Sequence, residues 1–158
     1  MNNIVEIDLD AKEEYINEYD DSKISENLSH YIIESVHDVR KNVILKIKFN
    51  FQVSSAEKEQ VRNMLYRDFK ECLTFVNKEI QNLNVRNIIL FLVGVILFFL
   101  SYFFECMDMN VFSEFFMVVT WVSFWEVAEN FLFVRRNLVC QRKKYHKLLE
   151  SEIFIRND

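Results

Sequence analysis

The sequence predicts an α+β membrane protein: an antiparallel two-helix transmembrane hairpin extended by long cytoplasmic helices, with a small cytoplasmic β-sheet formed from both ends of the chain. Three observations predict it. Residues Ile88–Phe104, IILFLVGVILFFLSYFF, carry no charge, and at about 1.5 Å of rise per residue they cross most of a hydrocarbon core of about 30 Å. A second apolar stretch, Val111–Val134, follows a short acidic link and is interrupted only by Glu114, Glu126 and Glu129. Two such segments so close together are expected to cross as a hairpin, since one crossing alone would leave the other apolar segment in water. Third, Leu45–Val53 alternates Leu45, Ile47, Phe49, Phe51 and Val53 with Lys46, Lys48, Asn50 and Gln52, the period of a strand with one wet face. The expected division is 1–85 as a cytoplasmic α+β domain, 86–135 as the hairpin, and 136–158 as a helix and strand that complete the first domain.

The elements follow in order. Ile4–Leu9 is a short strand candidate. Ser25 is placed to cap a helix whose Leu28, Tyr31, Ile32, Val36 and Val39 share one face. After the Leu45 strand, Ser54 and Glu57 have capping-box spacing, and Val61, Leu65, Phe69, Cys72, Val76, Ile80 and Leu83 form a helical stripe. No Gly or Pro lies between Ser55 and Val93, so this helix is expected to run directly into the first span. Beyond the second span, Arg135–Glu150 carries Leu138, Tyr145, Leu148 and Leu149 and is expected to return antiparallel beside the Ser55 helix. Glu152–Arg156 is the closing strand candidate; one strand alone is not stable, so the strands from both ends are expected to meet.

The basic residues give a direction. Lys78 and Arg86 precede the first span, Arg135, Arg136, Arg142, Lys143, Lys144 and Lys147 follow the second, and the link has no Lys or Arg. Both termini are expected in the cytoplasm. The run after Val134 also suits anionic lipid headgroups, each base being worth about 1 kcal/mol near the surface. The N-terminal MNNIVEIDLDAKEE is acidic and lacks an apolar run, so insertion is expected from the internal segments.

With the two spans level at the link, antiparallel partners have numbers summing to about 215. Arg86 then faces Glu129, an expected charge pair at the membrane interface. Glu126 falls beside Ile89, and Trp121 and Trp125 form the inner aromatic belt. Near the interface, a carboxylate can reach water or Arg86, Arg135 or Arg136, whereas at mid-bilayer it would cost several kcal/mol. Thr120, Ser123, Glu126 and Glu129 or Asn130 recur every three or four residues and share a polar face. That face either packs on the first span, against Gly94 and Ser101, or lines a contact between protomers.

Several kinds of chemistry find no support. Net charge is -5 with acids crowded near the start, which argues against a nucleic-acid partner. Cys72, Cys106 and Cys140 are far apart and form no C-x-x-C pair, so reduced thiols are expected. His30 and His37 are seven apart and His146 is remote, which does not suit a helical metal site. A single glycine excludes the glycine-rich nucleotide cradles. Glu126 and Glu129 have neither nucleophile nor metal beside them in the pattern. No cofactor, no metal and no catalytic residue is expected.

The run W-V-x-x-W-E-x-x-E-x-F-L-F from Trp121, followed by the basic Lys-Tyr-x-x-Leu-Leu segment and preceded by LSHYIIESV and a strand-helix pair, resembles a family of uncharacterised small bacterial proteins with two membrane spans. Trp121, Val122, Trp125 and Glu129 correspond to a family motif in the second span; the family's proline is missing here. The resemblance implies a multi-pass protein of the bacterial inner membrane and no particular activity. The expected function is that of a non-enzymatic membrane adaptor or regulator acting on an unknown cytoplasmic protein partner. The alternative is an oligomeric membrane effector or ion-permeable pore in stress or phage defence, built as a homo-oligomer.

Overall fold

The computed structural model describes residues 3–36 and 41–157; His37 and Val39 lie outside them. Among the described residues five strands and four helices follow in order: β1 (Asn3–Leu9), β2 (Ile16–Asn17), β3 (Asp20–Ile24), α1 (Glu26–Ser35), β4 (Val43–Phe49), α2 (Ser55–Cys106), α3 (Asn110–Glu129), α4 (Arg135–Leu149) and β5 (Glu152–Asn157). A 3-10 turn at Lys12–Glu14 follows β1, and a π-helical turn at Asn130–Val134 joins α3 to α4. The protein is α+β, with two long apolar helices and a small sheet.

Two compact units form, residues 1–76 with 140–158 and residues 77–139. Helix runs unbroken through both boundaries between the units.

In the first unit β4 lies between β1 and β5, both parallel to it, with Leu45 level with Val5 and Ile153. Parallel neighbours need a long crossover. The β4–β5 crossover is the whole segment that holds both apolar helices, so those helices are an insertion in a β-α-β unit. Alternation turns Val5, Ile7 and Leu9 of β1 and Val43, Leu45, Ile47 and Phe49 of β4 into one core. Leu28 and Ile32 of α1, Val61, Leu65 and Phe69 of α2, and Leu148 of α4 cover that face.

Tyr31, expected on the inward face of α1, is 53% exposed. Residue 31 is one position short of the Leu28–Ile32 pair and turns about 100° from it. β4 ends at Phe49, before the expected Val53, yet Phe51 still packs on Phe49 edge to face at 5.3 Å and Val53 is buried. The β2–β3 pair was not legible in the sequence. It brings Tyr15 edge to face with Phe49 at 5.6 Å, and Arg67 donates to the Ser22 carbonyl. The capping box is made: Ser54 Oγ accepts the Glu57 N–H at 3.2 Å and Glu57 Oε2 accepts the Ser54 N–H at 2.9 Å. Lys12 Nζ reaches the same carboxylate at 2.7 Å, and these donors draw the Glu57 carboxyl down to about 2.

In the second unit α2 closes with a left-handed residue, Asp108 at φ 57°. The Met109 N–H reaches the Phe104 carbonyl and the Asp108 N–H the Glu105 carbonyl. This double closure satisfies carbonyls that a helix end leaves open, and Asp tolerates the positive φ better than most residues. The chain then reverses into α3.

Candidate functional site

The helices of the second unit meet along two matched stripes. On α2 the less exposed residues include Leu83, Asn87, Leu90, Gly94, Leu97, Ser101 and Phe104; on α3 and the π turn they include Ser113, Phe116, Thr120, Ser123, Val127 and Asn130. Alternating steps of three and four are the seam of an antiparallel helix pair. Ser101 Oγ donates to the Ser113 carbonyl at 2.8 Å, Phe104 stacks on Phe116 at 5.3 Å, and Phe91 meets Phe124 at 5.6 Å. Each of these pairs, except the stack, lies within about three of the expected register sum. Gly94 sits beneath the Phe124 ring: a Cβ there would meet Phe124 Cε1 at 2.8 Å.

The charged end differs from expectation in one respect. Arg86 Nη2 donates to Asn130 Oδ1 at 3.1 Å, and Asn130 Nδ2 donates to Asn87 Oδ1 at 3.0 Å. Among the described residues no ion pair joins Arg86 to Glu129. The count from the link sets depth, but Glu129 lies about 100° around the helix from Asn130. Asn130 is buried and Glu129 is exposed.

The expected polar face divides in the same way. Thr120 and Asn130 are buried and Ser123 is half-buried, whereas Glu126 is exposed. Thr120 and Ser123 return their hydroxyls to the Phe116 and Val119 carbonyls at 2.8 and 2.9 Å, which satisfies them within their own helix. Trp121 and Trp125 stack on each other at 5.7 Å on the outer face, 68% and 61% exposed. Arg136, Arg142 and Lys143 are exposed, while Lys144 donates to the Ile33 carbonyl at 3.1 Å and ties α4 to the end of α1.

The π turn changes the helix phase. Inward positions run to Asn130 in steps of three and four, which would bring Val134 inward next. Instead Val134 is 40% exposed, and Arg135, Leu138 and Val139 are half-buried. The Arg135 N–H bonds to the Asn130 carbonyl, five residues back, so one extra residue is absorbed and Arg135 takes the inward place. No sequence signal announces this turn. Arg135 lies over the Phe131 ring at 5.3 Å, and its Nε is buried with no hydrogen-bond partner among the described residues.

The first unit holds a polar cluster that the sequence reading missed. Ser29 Oγ donates to Asp68 Oδ2 at 2.6 Å, and one turn further along α2 lies Cys72, half-buried like Tyr145 of α4. Burial pushes the Asp68 carboxyl, the Cys72 thiol and the Tyr145 hydroxyl all upward. A signal existed, since Asp68 falls three after Leu65 and four before Cys72 on the apolar stripe. His30 pairs with Glu34 and His146 with Glu150, each four residues on along its own helix. Among the described residues no three His, Cys, Asp or Glu side chains converge as metal ligands. Comparison with protein-family models, curated proteins and solved structures finds no match to this chain.

Proposed function

We propose that the chain crosses a bacterial inner membrane twice with both termini in the cytoplasm, and that its α+β unit acts there as a non-enzymatic adaptor or regulator. The outward surface of the helix pair supports this best. Both helices are long and apolar enough to cross a membrane, and only 11% of each one's most apolar window is buried. Ile88, Phe91, Phe99, Phe103, Phe115 and Trp121 are all more than half exposed. A contiguous apolar surface of this kind is costly in water and natural in lipid.

The adaptor reading draws on the sheet. Glu6, Asp8, Lys46, Phe154 and Arg156 line a shallow concavity on the sheet surface opposite the buried side chains, and parallel sheets usually have both faces covered. A protein partner would supply the missing cover. Impermeant thiol labelling of intact cells tests the topology: Cys106, the last residue of α2, should react, and Cys140, also exposed in the fold, should not. Labelling of Cys140 from outside would overturn it. Photo-crosslinking from position 154 in membranes should capture a specific protein; capture of none would overturn the adaptor reading.

A second reading, an oligomer with an ion path, draws on Glu114, Glu126 and Glu129, all exposed along an apolar helix. Carboxylates facing lipid are expensive unless something polar covers them. Reconstituted protein would then pass cations, and Glu126→Gln would stop it; absence of flux rejects this reading.

A further inference from the structure

Beside the helix seam of the second unit lies an apolar groove of about 760 Å³ whose walls include Ile88, Phe91, Phe124, Ala128 and Phe131, with Arg135 at one end. The cation is not incidental to it. The π turn advances the helix by one residue and so brings Arg135, rather than Val134, onto the inward stripe. Its guanidinium lies over the Phe131 ring with its Nε buried and unpartnered, so the charge that borders the groove is not neutralised by a carboxylate among the described residues. Arginine does not shed that charge by losing its proton. Arg86, near the same end, already gives Nη2 to Asn130.

We infer that this groove binds one anionic phospholipid, with an acyl chain along the Phe91, Phe124 and Phe131 walls and the phosphate at Arg135. A guanidinium matches a phosphate in geometry and charge, and the apolar walls match a chain that a free phosphate lacks. Ala128, small and exposed on the groove wall, leaves the chain its room. Basic sites between spanning helices at the cytoplasmic side are a known setting for such headgroups. The inference rests on the membrane reading above.

Full-length protein purified in mild detergent and given equal phosphatidylglycerol and phosphatidylcholine is examined by native mass spectrometry. The wild type should retain phosphatidylglycerol in preference. Arg135→Gln should weaken that retention on the order of tenfold, the scale of one lost charge-assisted bond. Ala128→Phe, which fills the groove and keeps the charge, should weaken both lipids. Arg136→Gln, at the exposed neighbour, should change little. Equal retention of the two lipids, an Arg136→Gln effect as large as that of Arg135→Gln, unaltered binding in Ala128→Phe, or displacement by inorganic phosphate alone would each overturn the site. The membrane reading fails separately: it falls if alkaline carbonate strips the wild-type chain from membranes.

Discussion

Asn130 joins the two helices of the apolar unit by accepting from Arg86 and donating to Asn87, at 3.1 and 3.0 Å. One buried amide thus satisfies two groups on the facing helix, at the level where the charge pair with Glu129 was expected.

Asn130→Ala should lower the melting temperature in detergent, at a cost of about 1 to 2 kcal/mol, because it leaves both α2 side chains without a partner. Glu129→Gln should change little. In a double-mutant cycle Arg86 should couple to position 130 and be additive with position 129. Coupling to 129 instead would restore the ion pair.

Gly94→Leu should separate or distort the helix pair, since even a Cβ would press into the Phe124 ring. Overpacking of this kind costs about 1 to 3 kcal/mol. Adding Phe124→Ala should recover part of the loss. Thermal melts of the two single variants and the double variant give the answer, and no recovery would place the strain elsewhere.

Removing residues after Glu150 deletes β5 and leaves β4 with one neighbour. The ladder from Ile44 to Phe49 loses its partner strand, and Ile153 and Ile155 leave the edge of the core. Limited proteolysis should then cut within residues 1–76 far faster than in the full chain. Unchanged cleavage would show that β5 adds nothing to the first unit.

Asp68 gives a pH prediction. Burial raises its carboxyl above the ordinary 3.8 despite the Ser29 hydroxyl. The folded chain therefore holds this proton more tightly than the unfolded one, and the associated stability is complete below about 3.8 and lost as pH rises through the folded value. Asp68→Asn, which keeps an acceptor for Ser29, should remove that loss. Melting of the variant and wild type should diverge in the variant's favour from pH 4 to pH 7; a constant difference would show that Asp68 is not the group responsible.

The long helices and the strands β1, β4 and β5 were legible because their signals are local. A charge-free run, an alternation of two and a stripe of three and four can each be read within a dozen residues, and they gave both apolar helices, the Ser54–Glu57 cap and a sheet from both ends of the chain. Depth along the antiparallel pair was also legible, since helical rise is uniform and the link sets its origin.

What only the tertiary structure decided depends on azimuth and on distant partners. A register sum cannot tell position 129 from 130, although a turn of about 100° separates the exposed carboxylate from the buried amide. Steps of three drift about 60° each, so Thr120 turns inward while Glu126, two such steps on, turns outward from one expected face. The π turn that carries Arg135 to the groove has no local signature, because the sequence through it remains an ordinary helix former. The parallel order β1-β4-β5 brings together strands separated by nearly the whole chain. Local periodicity marked the buried side of β4, while its neighbours β1 and β5 come from distant parts of the chain, and α1, α2 and α4 cover the resulting core.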